Sequence, residues 1–382
     1  MTAPRLYWVA GEPSGDQHAA GVLRELRGRL PGAEHVGYGG ARMAAEGLRL
    51  DYDLAGDAVM GIFPVVKALP RILRLMDRAE DELRRTRPAA LVLVDYPGFN
   101  LRLAARAKKL GVPVLWYIAP QVWAWGAWRL KKIARLVDRM LCILPFEEPI
   151  FRAAGVDAVF TGHPVVDHLA AAPRDAVVRE DLRALRGDGP LFGVFPGSRG
   201  HVVDSLLPDF SAAARRLRAE IPSARFAVAA AQPRFVERIE RAFAGLDGVR
   251  VVVGRSVDVM EAADVCLTTS GTTTLEIAAS LRPFVVGYRV SPVFYAVARS
   301  VIRVGHIGLV NLVAGETVVP EHVGCRPLAA RLAADAARLW TDAAYRESQL
   351  AGLRAVRARL DARGAYAHAA DEIAAFVARR SG

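Results

Sequence analysis

Two short loops in the C-terminal half carry the residue types that hold a diphosphate. The first, Pro196-Gly197-Ser198-Arg199-Gly200, follows the apolar run 191–195 and precedes a helical pattern that begins near Asp204. Small residues at a strand's C-terminal end let backbone amides approach phosphate oxygens, and an arginine adds paired charge-assisted hydrogen bonds. The second, Ser270-Gly271-Thr272-Thr273-Thr274, follows the run 265–268 and opens a helical stretch that carries Glu276. Hydroxyls and free amides at a helix start suit an anion, and a carboxylate about one turn further in can accept hydrogen bonds from ribose hydroxyls. Taken singly, a strand-to-helix turn or an ordinary Ser/Thr N-cap explains either loop; together, at two strand ends of one domain, they point to a nucleotide diphosphate. Neither is a Walker A loop or a Gly-x-Gly-x-x-Gly fingerprint, which argues against a kinase or a dehydrogenase. Asn311, in Leu309-Val310-Asn311-Leu312, offers an amide to a phosphate or base, or else is a turn residue.

Carboxylates mark the N-terminal half. The run 6–10 leads into Gly11-Glu12-Pro13-Ser14-Gly15-Asp16, where Glu12 and Asp16 are candidates for substrate contact or capping, Asp16 being the better cap. Asp95 ends the buried run 90–94 and precedes Tyr96-Pro97-Gly98-Phe99-Asn100, a position suited to a general base or to capping the helix near Asn100. Asp51-Tyr52-Asp53 has the Asp-x-Asp spacing of some metal sites but no strand-end context, and neighbouring Asp57 suggests a loop, so no metal is assigned. His163, in Thr161-Gly162-His163-Pro164, reads as a turn histidine, with reach into a cleft between domains as the alternative. His-x-x-x-His spacing and a Gly-x-Ser-x-Gly elbow are both missing, which weakens a hydrolase reading.

Such residues need strand ends to position them, and the chain supplies strands in two series. Apolar runs at 6–10, 90–94, 112–118 and 140–144, then at 191–195, 225–229, 249–253, 265–268 and 284–288, alternate with amphipathic stretches. That rhythm predicts parallel sheets with crossover helices. With 382 residues the chain is long enough for two cores. The turn-rich segment 166–190 is read as the hinge, giving an N-terminal domain 1–168, a C-terminal domain 169–365, and a last helix, 366–382, that packs back on the first domain. The fold class is α/β, two Rossmann-like domains facing a cleft.

The net charge of +11 favours an anionic partner: nucleic acid, an anionic membrane surface or a phosphorylated substrate. Positive charge is scattered and no recognition motif accompanies it, so nucleic acid is disfavoured. Three cysteines without Cys-x-x-Cys spacing imply a reducing compartment and no structural zinc. The N-terminus is a poor signal peptide, and no apolar run approaches the ~18 residues of a spanning helix, so the expectation is a cytoplasmic protein with only peripheral membrane contact. From Met60 to Met76, apolar residues recur at helical spacing beside Lys67, Arg71, Arg74 and Arg78. Such an element lies on an anionic bilayer or packs in the core; Pro64 and Pro70 suggest a loop plus a short helix. Trp116, Trp123, Trp125 and Trp128 crowd the next region, as a cleft wall or an interfacial patch.

Read together, these residues resemble the lipid A disaccharide synthase family of inverting GT-B glycosyltransferases. The similarity rests on Gly11 to Asp16, Gly39-Gly40-Ala41-Arg42-Met43, Val59-Met60-Gly61-Ile62, Asp95 to Asn100, Pro120 to Trp125, Leu144-Pro145-Phe146-Glu147, Gly162-His163-Pro164, Pro196 to Gly200, Ser270 to Glu276, Tyr288-Arg289-Val290-Ser291-Pro292 and Asn311 to Gly315. It implies transfer of a diacylglucosaminyl unit from UDP to the 6-hydroxyl of a diacylated glucosamine 1-phosphate at the inner face of the cytoplasmic membrane. In that scheme Asp95 is the base, Glu12 lies near the reacting sugars, and Arg199, Glu276 and Asn311 contact UDP. No cofactor or obligatory metal is implied, the UDP-sugar being a substrate, and a homodimer is compatible with it. Three departures stand out: Gly98 where the family commonly has Asp, His201-Val202-Val203 for a frequent Ser-Glu-Ile, and Val310 for a Pro. A UDP-sugar 2-epimerase on a similar scaffold, a related UDP-sugar transferase with another lipid acceptor, and a non-catalytic binder of nucleotide sugars or membrane surfaces are the alternatives.

Overall fold

A computed structural model of the chain describes residues 3–59, 65–290, 306–360 and 364–381; the start of the amphipathic element (60–64) and Ser291-Pro292 lie outside them. The chain forms two compact units, Met1–Pro164 with Leu360–Gly382, and Val165–Arg359. The break thus falls at Val165, at the start of the segment expected to be the hinge, most of which is helical (Val165–Ala171 and Ala176–Arg186). The helix Val165–Ala171 buries Val165 and Leu169 and already belongs to the second unit. The return comes at Leu360, whose carbonyl accepts the His163 amide at 3.0 Å and so joins the two segments of unit 1.

Unit 1 contains seven parallel strands: β1 (Arg5–Ala10), β2 (Glu34–Gly39), β3 (Arg49–Asp53), β4 (Ala90–Val94), β5 (Val114–Tyr117), β6 (Arg139–Cys142) and β7 (Ala158–Phe160), in the order β3-β2-β1-β4-β5-β6-β7. Unit 2 contains six: β8 (Leu191–Phe195), β9 (Arg225–Ala230), β10 (Val249–Val253), β11 (Val265–Thr269), β12 (Phe284–Arg289) and β13 (Glu321–Gly324), in the order β10-β9-β8-β11-β12-β13. These are two Rossmann-like units. In each, the winding reverses beside the first strand, where Ala10 pairs with Val94 and Phe195 with Thr268. Helices depart to opposite faces there, leaving a crevice at the strands' C-terminal ends.

Strands buried on both faces read directly from the sequence: β4, β8 and β11 are buried at every position, so their sequences are nearly continuous apolar runs, while the edge strand β10, only partly buried, is read from its valines. Four strands escape that signal. Strand β3 alternates between exposed and half-buried positions at the sheet edge, so pairing with β2 suffices and polar residues are tolerated. Asp51-Tyr52-Asp53 therefore lies in a strand, correcting the loop reading. Beyond it, Asp53 accepts the Gly56 amide at 2.7 Å, and Asp57 accepts from Tyr52 and Arg71. The edge strands β7 and β13 have only three and four residues, and β2, paired on both sides, is interrupted by Glu34, His35 and two glycines, so none gives an apolar run.

The helix Val65–Thr86 runs through Pro70, correcting the expected interruption. Near its N-terminus a proline removes a single intrahelical bond, and Leu75, Met76, Ala79 and Leu83 pack the remainder onto the sheet.

The C-terminal helix Ala365–Ser381 completes unit 1. Ala369, Ala370, Ile373, Phe376 and Val377 join Leu6, Trp8 and Leu23 in one core. Tyr366 lies where a side chain at Gly21 would be, 2.8 Å from its Cβ position, and the Tyr366 hydroxyl meets His18 Nδ1 at 3.0 Å. Replacing Ile373 by Ala should destabilise unit 1 by ~2–5 kcal/mol, read as a lower urea midpoint with the m-value unchanged; an unaltered midpoint would show that the helix is not part of this core.

Candidate functional site

Both candidate diphosphate loops lie at the switch point of unit 2, on the neighbouring strands β8 and β11. The helix after β8 begins at Gly200, four residues earlier than the sequence suggests, and spans Gly200–Glu220. Arg199 is its extended N-cap residue and no side chain caps it. The helix after β11, Thr272–Ala279, has Gly271 as N-cap and again no side-chain cap. Within that loop Thr274 donates its hydroxyl to the Gly271 carbonyl at 2.6 Å. The Ser/Thr capping explanation therefore fails for both loops, and first-turn amides are left for an anion or water.

Glycine is required at two places here. Gly197 has φ +108, and a side chain would meet Thr269 Cγ2 and Val202 Cγ1 at 3.2 Å. Gly271 has φ +154 with open space beside it. Ser198 and Arg199 are exposed, and among the described residues Arg199 has no acidic partner. Thr272 is exposed and Thr273 half-buried, while Ser270 Oγ lies 3.5 Å from the Ile307 carbonyl. Glu276 is half-buried with no donor among the described residues, and that burial raises its pKa. Thr269, which the sequence reading passed over, brings a buried hydroxyl oxygen without a hydrogen-bond partner to the same strand end.

Asn311 differs from expectation. It is 0% exposed. Its Nδ2 donates to the Val319 carbonyl at 2.8 Å and Glu321 Oε1 at 2.6 Å, while its Oδ1 accepts from the amides of Val318 and Val319. The other uses of Glu321 are the amides of Ile307 and Gly308. With its amide fully engaged, Asn311 orders the 307–321 segment and, in this arrangement, does not reach a ligand.

The carboxylates gather at the switch point of unit 1. Glu12 is the N-cap residue of the helix Pro13–Arg29 but caps nothing with its side chain. The Tyr96 ring lies over Gly11, so close that a Cβ there would sit 2.2 Å from it, which brings the loops after β1 and β4 together. Asp95 and Tyr96 both have left-handed backbones, φ +45 and +49. Strain of this kind in non-glycine residues persists only where the surroundings enforce it. Asn100 supplies some of that enforcement, its Nδ2 donating to the carbonyl oxygens of Asp95 at 2.7 Å and Val94 at 3.3 Å. No side chain caps the helix Pro97–Lys109. Burial, reinforced by the Glu12 charge, pushes the Asp95 carboxyl up to about 6 against a hydrogen bond from the Tyr96 amide.

A third carboxylate, Glu147, appears in the sequence only within a resembling stretch. It is 1% exposed, and burial first, with Asp95 also contributing, pushes it up to about 7. Asp16 acts as a cap, accepting from the amides of Gly40, Arg42 and Met43. His163 is buried, its ring pushed down to about 3 by that burial and by His18, so it is a neutral core group. Gly98 is exposed, with open space at its missing Cβ, so the departure from Asp leaves a gap in side chains and no distortion.

On the surface of unit 1, Leu69 and Leu73, one turn apart on the Val65–Thr86 helix, are 51% and 43% exposed, and Arg74 and Arg78 of the same helix are exposed as well. Trp128 is 74% exposed with the Arg129 guanidinium 4.9 Å from its ring centroid.

Titration of Asp95, followed by carboxyl-selective NMR, should give a midpoint near 6; Glu12→Gln should lower it while leaving it above the ordinary carboxylate value, because burial persists. The sign for stability is fixed: between the ordinary carboxylate range and about 6 the folded state binds more protons than the unfolded one, so stability falls as pH rises through that window. Asp95→Asn should therefore raise the melting temperature above pH 6 and leave it unchanged in acid.

Similarity to known proteins runs nearly the length of the chain. A family model described as lipid-A-disaccharide synthetase matches residues 6–372. The lipid-A-disaccharide synthase of Myxococcus xanthus is 43% identical over 371 residues, covering 97% of each chain. Among solved structures, a calicheamicin glycosyltransferase superposes with TM-score 0.63 at 16% identity over 100% of both chains. A UDP-GlcNAc 2-epimerase from Neisseria meningitidis, with UDP-GlcNAc bound, gives TM-score 0.59 at 13% identity, covering 98% of this chain and 99% of its own. The latter two establish likeness of fold alone; the near full-length match of family model and relative decides membership, and the chain belongs to the lipid-A-disaccharide synthetase family.

Proposed function

We propose that this hexosyltransferase condenses UDP-2,3-diacylglucosamine with 2,3-diacylglucosamine 1-phosphate, forming the β-1,6-linked disaccharide 1-phosphate and UDP in a single inverting displacement. The observation that carries the donor half is the pair of uncapped helix starts on β8 and β11, together with the exposed guanidinium of Arg199 and the carboxylate of Glu276, which has no donor among the described residues. Amides of the 197–201 and 271–273 segments bind the diphosphate, Arg199 adds a forked pair of bonds, and Glu276 accepts from the ribose hydroxyls. Ser198, Ser270, Thr272 and Thr273 contribute hydroxyls to the same anion.

In the acceptor half, Asp95 removes the proton of the 6-hydroxyl as that oxygen attacks the anomeric carbon. The bond from that carbon to the UDP oxygen breaks with inversion, and the electron pair leaves on the diphosphate, where Arg199 and the helix amides offset the growing charge. A base held at about 6 is mostly ionised at neutral pH yet keeps useful proton affinity. Glu12, next to Asp95, sustains that affinity and is placed to orient the sugar hydroxyls.

Replacing Asp95 by Asn should lower the rate of UDP release by about 10²-fold or more without weakening UDP binding by calorimetry. Arg199→Ala should weaken UDP binding by about tenfold, the scale of one charge-assisted bond pair. The wild-type rate should fall below pH 6 as Asp95 protonates. Turnover of soluble UDP-N-acetylglucosamine without any lipid acceptor would favour an epimerase instead, and an Asp95→Asn enzyme of undiminished rate would remove the base assignment.

The acylated substrates reside in a bilayer, and exposed Leu69 and Leu73, on a helix that also exposes Arg74 and Arg78, suit an anionic one. Leu69→Ser with Leu73→Ser should reduce co-sedimentation with phosphatidylglycerol vesicles while turnover of detergent-dispersed substrate persists. Equal sedimentation of the double variant would exclude these leucines as the contact.

A further inference from the structure

Trp123 and Glu147 are committed to one another at the C-terminal edge of unit 1, and neither has a role in the chemistry above. Trp123 lies in the helix Val122–Trp125 that follows β5, and Glu147 opens the helix Glu147–Ala153 that follows β6. Glu147 Oε1 accepts from the Trp123 indole Nε1 at 3.1 Å, and its Oε2 accepts from the Leu144 amide at 3.1 Å. The Phe146 ring meets the indole at 89°, centroids 4.8 Å apart. The strand ends that carry this pair continue directly from the one that carries Asp95. The Asp95 amide donates to the Tyr117 carbonyl at 3.0 Å, and the Ile118 amide to the Leu141 carbonyl at 3.1 Å. Burial raises the Glu147 carboxyl first, and the charge of Asp95 adds to it.

A buried carboxylate is an expensive way to hold a side chain. If the indole merely filled space, an apolar neighbour would pack it without that cost. Yet Trp123 remains half-exposed, with its N–H fixed from below and its ring braced by Phe146. A half-exposed ring of fixed orientation beside a candidate base suits a pyranose, whose axial C–H groups form an apolar face that rests on aromatic carbon while its hydroxyls point to polar partners.

We propose that Trp123 is the platform for the acceptor's glucosamine ring, and that Glu147 is the positioning residue that sets the platform's orientation beside Asp95. This rests on the reading of Asp95 as the base at the acceptor site. The platform holds the ring so that its 6-hydroxyl meets the carboxylate, the kind of orientation whose loss slows transfer steeply.

The test varies the acceptor, 2,3-diacylglucosamine 1-phosphate, at saturating donor. Trp123→Ala should raise the acceptor KM about tenfold, more than it lowers kcat, and leave UDP affinity unchanged. Trp123→Phe, which keeps a ring, should recover much of the loss. Glu147→Ala should raise the acceptor KM in the same direction, Glu147→Gln less so because its amide oxygen still accepts one bond, and Glu147→Ala should add nothing in the Trp123→Ala background. An acceptor KM untouched by Trp123→Ala, or full additivity of the two changes, overturns the proposal. Should Glu147→Ala fail to fold, Glu147→Gln and the two Trp123 variants carry the same comparison. Loss of turnover in Asp95→Asn together with an unchanged acceptor KM in Trp123→Ala removes the platform alone, whereas undiminished turnover in Asp95→Asn removes the base assignment beneath it.

Discussion

Parallel strands are joined by right-handed crossovers, and that handedness is the constraint on which the rest of the molecule depends. A sheet wound outward in both directions from its first strand must send the helices beside that strand to opposite faces. Nothing then covers the C-terminal ends of the central pair, and their loops face a crevice. The chain meets this condition twice, between β1 and β4 and between β8 and β11. Almost every candidate residue derives its place from it: Glu12 and Asp95 in one unit, Arg199 and the 270–273 turn in the other.

The two crevices have opposite chemistry for a physical reason visible in their loops. In unit 2 the chain turns from strand to helix without spending a side chain on the helix start, so positive partial charge and an exposed guanidinium remain available. In unit 1 the corresponding turns bring carboxylates together, and the close seat of Tyr96 on Gly11 narrows the space they share. Burial and mutual repulsion then raise the proton affinity of Asp95. The first arrangement favours a bound anion, the second a group that takes up a proton.

Backbone strain and polar anchoring are concentrated at the same place. Asp95 and Tyr96 occupy left-handed conformations that neighbouring hydrogen bonds enforce, chiefly those of Asn100. Further along the sheet Glu147 has a comparable role, its buried carboxyl ordering an aromatic side chain. In unit 2 the equivalent anchoring is done by Asn311 and Glu321, which tie the 307–308 and 318–319 backbones together.

Much of this was determined by the sequence alone. Strands buried on both faces must be apolar throughout, so β4, β8 and β11 announce themselves, and with them the loops that bear Asp95, Arg199 and Ser270. The edge strand β3 needs only a hydrogen-bonding partner, and its mixed sequence hides it. Tertiary structure decided what each polar side chain does, because hydrogen-bond partners come from distant segments. Asp16 caps a turn at Gly40, Asn311 is consumed by the 318–319 backbone and the Glu321 carboxylate, His163 is buried, and Glu147 holds Trp123. A residue's type declares which bonds it can form; only the folded neighbourhood determines whether those bonds are already made or are left for a substrate.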